Sequence, residues 1–292
     1  MKVLDKSALN LIPDRKANAN KGSYGHVLII AGSKGMSGAA FFSALAAYRS
    51  GCGIVRILTV SKNRTVLQTL LPEAIITTFD ERDAFENKEA LIEKVKNCLE
   101  WATVVVMGPG LSKEYFAKII VEYVLEECYV PMILDADALN IISEDISLTG
   151  YYTDNIIITP HIGEMARLIQ TDISKILSDP VKYATDYSNK YGITAVLKSH
   201  ETVIARKEEL FINKSGSSAM AKAGSGDVLC GIIAGMFSLG IEDDMAVALG
   251  VFIHGMAGSL AGEKIGEHSI IARDIIDNIA EVLNRRKTDG LI

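Results

Sequence analysis

The chain has 292 residues, 49% of them hydrophobic, which is enough for one large domain or two small ones with a sizeable core. Its net charge is −6 and its longest basic run is Arg285-Arg286-Lys287, so neither nucleic acid nor an anionic membrane is expected as a main partner, although a phosphorylated small ligand is compatible. The four cysteines form no C-x-x-C pair and the first residues are not those of a signal peptide, which together predict a cytoplasmic protein with buried free thiols.

Short continuous apolar runs alternate with helical segments as far as Lys198. Such runs, bounded by Gly or Pro, are typical of strands that are buried on both faces. After a lead-in at residues 1–20, the predicted strands are 26–31, 53–60, 74–78, 103–107, 132–134, 155–159 and 194–198. The predicted helices are 39–50, 88–100, 113–128, a short one after Asp137, 162–170 and 178–191.

The pattern changes after Lys198. A hairpin is predicted from 202–205 and 209–212, with Lys207 and Glu208 at its turn, and a helix follows Asp227 as far as Gly240. The apolar run 245–262 is interrupted by four glycines and His254, which favours a buried core helix over a membrane span, and an amphipathic helix is predicted over 272–286. Without a linker or repeat, residues 1–292 are predicted to form one α/β domain, a mostly parallel doubly wound sheet with helices on both faces.

Ligands bind at the carboxyl ends of the strands in such sheets. The unusual residues of this chain follow its strands. They are Gly32–Gly38, Gly108–Gly110, Asp135 with Asp137, Pro160–Glu164 and Lys198–Thr202. Their recurrence at one kind of position predicts a single ligand site along one edge of the sheet.

The segment 220–239 joins a loop of small residues to an apolar helix. Glycine lets a backbone approach a ligand closely, and the first N–H groups of a helix are an anion site. Gly224, Ser225 and Gly226 are therefore a predicted anion hole, with Asp227 beside it as a catalytic base. The alternative is that Asp227 only caps the helix.

Two glycine turns leave two interpretations each. Gly32–Gly38 follows the first strand as G-x-x-G-x-x-G, which is not the dinucleotide fingerprint, and no P-loop sequence occurs. This turn is either purely structural or a place where a ligand approaches the backbone. Gly108–Gly110 is either a tight turn or a flat floor for a planar ring or a ribose.

The charged residues at the strand ends also leave alternatives. Asp135 and Asp137 would share one side of an extended strand end, where they either hold Mg²⁺ through water or hydrogen bond to neighbouring loops. His161 and Glu164 stand at i and i+3, as a metal pair or as a helix cap with His161 free to contact a ligand. The segment Lys198–Thr202 either grips a nucleotide or is a solvated turn.

Seven motifs in this order resemble those of the ADP/ATP-dependent NAD(P)H-hydrate dehydratases, a branch of the ribokinase-like superfamily. They are Lys21–Val27, Gly32–Ala40, Gly108–Leu111, Leu134–Asn140, Thr159–Ala166, Leu197–Val203 and Met220–Leu229. The resemblance covers nearly the whole chain and implies the ribokinase-like three-layer α/β/α fold. With no room for an epimerase domain before Lys21, the chain resembles the stand-alone dehydratase.

The resemblance implies a reaction, namely removal of water from the 6-hydroxylated form of NADH or NADPH at the expense of ADP or ATP. It implies that Asp227 is the catalytic residue, that Mg²⁺ takes part and that the protein is a homotetramer. The implied contacts with the hydrate are Ala40, Gly110, His161 and Asp227. The implied contacts with the nucleotide are Lys198, Ser199, His200, Glu201, Thr202 and Gly226.

Two departures from the family pattern bear on the site. The loop 213–219 reads Asn-Lys-Ser-Gly-Ser-Ser-Ala where many relatives have Asn-Pro-x-Gly-Asn, so a different loop shape is expected. Ser199 stands where many relatives have glycine, which adds a Cβ at the nucleotide strand. The alternatives to a dehydratase are a ribokinase-like kinase of a vitamin precursor and a nucleotide-binding sensor without catalysis.

Overall fold

A computed structural model describes residues 2–285, in which ten strands form one sheet. The strands are β1 (Lys2–Val3), β2 (His26–Ile30), β3 (Ile54–Val60), β4 (Ile75–Phe79), β5 (Val104–Met107), β6 (Met132–Leu134), β7 (Ile156–Ile158), β8 (Thr194–Leu197), β9 (Thr202–Arg206) and β10 (Glu209–Asn213). Their order across the sheet is β1-β10-β9-β8-β7-β6-β5-β2-β3-β4. The mostly parallel sheet predicted from the sequence is confirmed, because β9 alone among these strands runs antiparallel to its neighbours, β8 and β10.

Helices cover both faces of the sheet. They are α1 (Ser37–Arg49), α2 (Arg64–Leu70), α3 (Asp83–Glu86), α4 (Lys88–Leu99), α5 (Tyr115–Glu127), α6 (Asp137–Glu144), α7 (Ile162–Leu168), α8 (Ile173–Ser178), α9 (Pro180–Tyr191), α10 (Ser225–Ser238), α11 (Asp243–Ile265) and α12 (Ala272–Arg285). In β2, Leu28 and Ile30 pack on the side of α4 and α5, whereas Val27 and Ile29 pack on the side of α1 and α10. Alternating residues of a strand point to opposite faces, so the strands are apolar throughout and the fold has three layers.

The structure differs from the sequence prediction where a local signal is short. The predicted helix 178–191 begins at Pro180, because Pro180 at the first position follows Asp179, whose side chain accepts the Lys182 N–H. A separate helix, α8, precedes it. The short elements β1, α2 and α3 were not predicted. The predicted helix 272–286 extends at least to Arg285, and its last residue lies outside the described residues.

The helix α11 is long and apolar enough to cross a membrane by length and composition, yet 78% of its most apolar window is buried within the protein. Its glycines explain how it packs. A Cβ on Gly250 would lie 2.7 Å from Ile233 of α10, and one on Gly258 would lie 2.3 Å from the Met220 sulfur. These positions allow α10 and the loop before it to approach the α11 backbone. The prediction of a core helix is confirmed.

Candidate active site

The helix α10 begins after a left-handed glycine. Gly224 has a φ of +88°, and a Cβ there would lie 2.9 Å from the ring of Phe42, so another residue would be strained in this turn. Ser225, Gly226 and Asp227 form the first turn of α10. N–H groups in a first turn lack partners inside the helix and carry the positive end of its dipole. The start of α10 therefore has the geometry that an anion needs.

Ser225 presents a different group to this site from the one expected. Its N–H, one of the three predicted anion-hole amides, donates to the Lys222 carbonyl oxygen at 3.3 Å. Ser225 lines the cavity, and its hydroxyl oxygen Oγ is 3.2 Å from His254 Nε2. Ser225 can therefore contact a ligand through its hydroxyl while its amide holds the loop.

Asp227 lies partly buried in the first turn of α10. Burial, together with the nearby carboxylates of Asp135 and Asp137, raises its pKa to about 6 against the opposing charge of Lys198. The Ser43 hydroxyl donates to the Asp227 carbonyl oxygen at 3.0 Å, which fixes this turn against α1. A carboxylate with a pKa of about 6 is mostly ionised at neutral pH and accepts a proton more readily than an ordinary aspartate.

A buried ion pair lies at the ends of the central strands. Lys198 Nζ is 2.6 Å from Asp135 Oδ1, and the Asp135 side chain is 3% exposed. Thr159 donates its hydroxyl to the same oxygen at 2.8 Å. Burial disfavours the ammonium, but Asp135 and Glu164 outweigh this effect and hold the pKa of Lys198 above its usual range. Lys198 therefore stays charged.

This ammonium lies beside the start of α10. A Cβ on Gly226 would lie 3.4 Å from Lys198 Nζ and 3.5 Å from Asp135 Oδ2. The lack of a side chain at Gly226 thus keeps open the space between a fixed cation and a helix N-terminus. Two positive fields converge on this space, which suits a phosphate group.

Asp135 and Asp137 do not share one side of an extended strand end. Ala136 between them has a φ of +49°, and Asp137 is already the first residue of α6. Asp137 accepts the Ser112 N–H at 2.7 Å and the Asn140 amide at 3.4 Å. The expected geometry was therefore wrong, and Asp137 hydrogen bonds to a neighbouring loop, while the Mg²⁺ alternative stays a prediction. No group of three or more His, Cys, Asp or Glu side chains suited to a metal occurs within residues 2–285.

His161 and Glu164 form the cap of α7. His161 Nδ1 accepts the N–H groups of Gly163 and Glu164 at 2.9 and 3.3 Å, and Glu164 accepts the His161 N–H at 2.8 Å. Since Nδ1 is an acceptor, the proton of the neutral ring is on Nε2. The His161 side chain remains 54% exposed and lines the cavity, so it can still contact a ligand, whereas the capping geometry is unfavourable for a metal pair.

A cavity of about 1010 Å³ opens at this edge of the sheet. One wall comes from the strand ends and the turn after β8, with Lys198, Ser199, His200 and Thr202. The rest of the wall comes from the end of β10, the loop before α10, α10 itself and α11. Its residues are Asn213, Ser215–Ser218, Met220–Lys222, Leu229, Val251, His254 and Gly255. The volume of the cavity, with the ion pair of Lys198 and Asp135 in its wall, is sufficient for a nucleotide.

The turn after β8 has its side chains divided between the cavity and the surface. Glu201 points to an exposed ion pair with Lys214, 3.2 Å between Oε1 and Nζ, and is not part of the cavity wall. The Ser199 hydroxyl donates to the Glu201 carbonyl oxygen at 2.6 Å, so the Ser199 side chain is held within the turn. A nucleotide contact by Glu201 would therefore come from its backbone.

The divergent loop 213–219 is closed by its own hydrogen bonds. Asn213 Oδ1 accepts from the Ser215 hydroxyl at 2.8 Å, and Asn213 Nδ2 donates to the Ser215 carbonyl oxygen at 3.1 Å. The Ser215 hydroxyl is also 3.0 Å from the Phe252 carbonyl oxygen on α11. The loop is thus held against α11 as a wall of the cavity.

The predicted hydrate contacts Ala40 and Gly110 are not among the residues that line this cavity. Gly108 has a φ of +120°, and a Cβ there would lie 1.9 Å from the Asp135 carbonyl oxygen, so this is a tight turn against the next strand. Gly110 lies against Met36 and Ala39. Ala40 has no exposed surface, so its side chain cannot touch a ligand in this conformation, and its contact stays a prediction.

Sequence reasoning missed several residues of the cavity, notably Met220, Lys222 and His254. His254 had a signal in the sequence, because it is the single ionisable residue between Met245 and Gly262. An ionisable side chain among small residues in a buried helix needs a polar neighbour, and here that neighbour is Ser225.

The family model described as NAD(P)H-hydrate dehydratase matches residues 27–281. A bifunctional NAD(P)H-hydrate repair enzyme from Moorella thermoacetica is 36% identical over 93% of the chain and 52% of its own length. The chain thus spans about half the length of the bifunctional curated relatives that it matches.

Two further relatives match along their own length. The ADP-dependent (S)-NAD(P)H-hydrate dehydratase of Neisseria meningitidis is 34% identical over 95% of this chain and 90% of its own. A crystal structure of the ADP/ATP-dependent NAD(P)H-hydrate dehydratase of Bacillus subtilis, co-crystallised with ATP and Mg²⁺, superimposes with a TM-score of 0.83 at 29% identity. It covers 97% of this chain and 98% of that one.

Proposed function

The chain belongs to the NAD(P)H-hydrate dehydratase family, and from this premise we propose that it is the enzyme that returns the S epimer of hydrated NADH or NADPH to the reduced cofactor, using ADP or ATP. The observation that carries the proposal is the convergence of Asp227, the Lys198 ammonium and the start of α10 on one edge of the sheet. A base beside a phosphate site is what phosphorylation of a hydroxyl requires.

The reaction has two steps. Hydroxide is a poor leaving group and phosphate is a good one, so the C6 hydroxyl of the hydrate first attacks the terminal phosphoryl group of the nucleotide. Asp227 takes the hydroxyl proton as the new O–P bond forms, and the nucleotide leaves with one phosphoryl group fewer. The C6–O bond then breaks, the ring-nitrogen lone pair supplies the electrons, and loss of a ring proton beside C6 restores the dihydropyridine.

The residues around Asp227 stabilise the first step. Lys198 and the first turn of α10 lie where negative charge grows on the phosphoryl oxygens. Asp135 holds the ammonium in place and keeps it charged. The nucleotide occupies the cavity of about 1010 Å³, with its base toward the turn after β8 and its phosphates toward Gly226.

We propose that Mg²⁺ comes with the nucleotide and is not held by the protein alone. One carboxylate oxygen, Asp135 Oδ2, faces the phosphate space, while Oδ1 is occupied by Lys198 and Thr159. Mg²⁺ bound through one carboxylate, waters and substrate phosphates fits this donor set. When bound, the ion would neutralise phosphate charge, and Asp135 would hold it directly or through water.

The test is recovery of the reduced nicotinamide. The protein is incubated with chemically hydrated NADH and ADP or ATP, and the absorbance of the reduced ring is followed in the presence of Mg²⁺. Recovery with at least one nucleotide is expected. Absence of recovery with both would contradict the dehydratase proposal, and formation of a phosphorylated product without recovery would favour the alternative, a ribokinase-like kinase of a vitamin precursor.

We also propose a cytoplasmic homotetramer whose partners are small molecules, without nucleic acid or a membrane. The four buried free cysteines and the net charge of −6 support the location and the choice of partners. Exposed aromatic residues such as Phe85 and Tyr129, 76% and 81% exposed, support association through an apolar face. Light scattering after gel filtration measures the assembly, and a monomer at micromolar concentration would contradict it.

A further inference from the structure

His254 is the one residue of α11 that brings an ionisable side chain to the cavity wall. Its Nε2 lies 3.2 Å from the Oγ of Ser225, the first residue of α10. Ser225 is 9% exposed and also lines the cavity. The two side chains therefore connect the long core helix to the predicted phosphate site.

The position of His254 is fixed by the packing on both sides of it. A Cβ on Gly250 would lie 2.7 Å from Ile233 of α10, and one on Gly255 would lie 2.2 Å from the Ser215 hydroxyl oxygen. The backbone of α11 is thus in close contact with α10 and with the loop 213–219. The backbone that carries His254 is therefore held in place relative to the start of α10.

The imidazole next to Ser225 is neutral. Burial lowers the pKa of His254 to about 4, and the Lys198 ammonium adds to this effect against a hydrogen bond with the Ser225 backbone. A neutral ring has one N–H and one acceptor nitrogen. The contact with Ser225 can therefore have either of two polarities.

The two polarities have opposite consequences for a phosphate. If Nε2 accepts, the Ser225 hydroxyl uses its single hydrogen in a hydrogen bond to His254, and Oγ turns its lone pairs toward the ligand. If Nε2 donates, Oγ is the acceptor and the hydroxyl proton is free. Only the second arrangement gives an anion a donor, and lone pairs that face phosphoryl oxygens would repel them.

We propose that His254 is a positioning residue whose Nε2–H donates a hydrogen bond to Ser225 Oγ. The Ser225 hydroxyl is then free to donate a hydrogen bond to the phosphoryl group of the nucleotide. This inference rests on the proposed function, because it assumes a phosphoryl group at the start of α10. It gives Ser225 a role through its side chain, because its backbone N–H already donates to the Lys222 carbonyl oxygen. His254 itself does not touch the reacting atoms.

The test is a double-mutant cycle with a conservative rescue. Ser225→Ala removes the donor and is expected to lower kcat about 10²-fold, the usual effect of losing one such donor. His254→Leu is expected to lower kcat by about 10- to 100-fold with the KM for the hydrate unchanged. The double variant is expected to be no slower than Ser225→Ala, because the two residues act as one unit. His254→Gln keeps an N–H donor at the same reach and is expected to recover most of the activity.

The control variant is Ser259→Ala, on the same helix but outside the cavity wall, and thermal unfolding is followed for every variant. Losses that multiply in the double variant would overturn the proposal, as would wild-type kcat in His254→Leu. A His254→Gln variant as slow as His254→Leu would also overturn it.

A binding measurement separates this inference from the proposed function. Calorimetry with ATP and with AMP compares a ligand that has the terminal phosphates with one that lacks them. His254→Leu is expected to weaken ATP binding about fivefold or more while AMP binding stays unchanged. If the wild type restores no NADH but this difference is found, the dehydratase proposal fails and the role of His254 stands. Equal affinity of wild type and His254→Leu for ATP would overturn the role of His254.

Discussion

At the scale of single residues, the site contains a group that serves the reaction but lowers the stability of the folded protein. Asp227 is partly buried near two other carboxylates, and its pKa is raised to about 6. Ionising it in the folded protein therefore costs more than in the unfolded chain. The cost is absent below the ordinary aspartate pKa, grows as the pH rises toward 6 and is constant above that pH. A residue kept at such a cost is expected to serve the reaction.

Asp227→Asn is therefore expected to be inactive and more stable. Loss of the base should lower kcat about 10²- to 10⁴-fold, and removal of the buried charge should raise the free energy of unfolding at pH 7 by about 1–2 kcal/mol. Activity is measured by recovery of reduced nicotinamide and stability by urea unfolding at pH 7. Turnover near that of the wild type would contradict the role of Asp227 as base, and a lower stability would contradict the burial argument.

The pH dependence of kcat/KM tests the neighbours of Asp227. Only the ionised carboxylate accepts a proton, so kcat/KM is expected to fall below a pH of about 6.

Asp135→Asn removes a negative charge and leaves Lys198 unpaired, and both changes favour ionisation of Asp227. The acidic limb should therefore move to lower pH in this variant. Asp154→Asn, in an exposed turn, is the control and should not move it. A limb that stays in place or moves upward in Asp135→Asn would contradict this coupling.

At the scale of elements, the sequence predicted the strands and helices that carry a strong local signal. Continuous apolar runs such as Thr103–Met107 identified the buried strands, because their side chains point into both helical layers. The strand ends that carry Asp135, His161 and Lys198 were predicted to meet at one edge, and they do so. The cavity wall made by the loop 213–222 could not be predicted, because its shape depends on contacts with the distant helix α11.

The glycines of α11 set the position of that wall. A Cβ on Gly255 would lie 2.2 Å from Ser215 Oγ and 2.6 Å from the Ser215 backbone, so Gly255→Ala should push the loop 213–219 away. We expect a loss of about 1–3 kcal/mol in unfolding free energy and about tenfold weaker ATP binding. Unfolding by urea and calorimetry with ATP measure the two effects.

Gly262→Ala is the matched control on the same helix. A Cβ there would lie 3.4 Å from the Ala219 Cβ, an ordinary contact. Alanine is a better helix former than glycine by up to about 1 kcal/mol, so this variant should be as stable as the wild type or more stable. Equal losses in the Gly255 and Gly262 variants would show that helix α11 and not the loop contact is the cause.

At the scale of the whole molecule, the cavity connects parts of the chain that are far apart in sequence. Its wall includes Asp135 after β6, His161 after β7, Lys198 after β8 and His254 in α11. The resemblance of the seven motifs to one family identified most of these residues without geometry. It did not predict the positive φ at Ala136, the buried ion pair of Lys198 with Asp135, or the contact of His254 with Ser225. Each of these depends on the packing of separate elements.

Because a nucleotide would contact the ends of β6, β7 and β8 together with α10 and α11, ATP with Mg²⁺ should stabilise the protein as a whole. At a concentration about 100 times its Kd, a ligand that binds only the folded state adds about 2.7 kcal/mol to the free energy of unfolding. For a chain of this size the expected rise in Tm is about 5–10 °C. Scanning calorimetry measures it, and hydrogen exchange should show the added protection at residues 213–222 and at the start of α10. In Gly255→Ala the rise at the same ATP concentration should be smaller, because the displaced loop weakens binding. A wild-type Tm that does not respond to ATP, or protection confined to residues outside the cavity wall, would contradict nucleotide binding at this edge of the sheet.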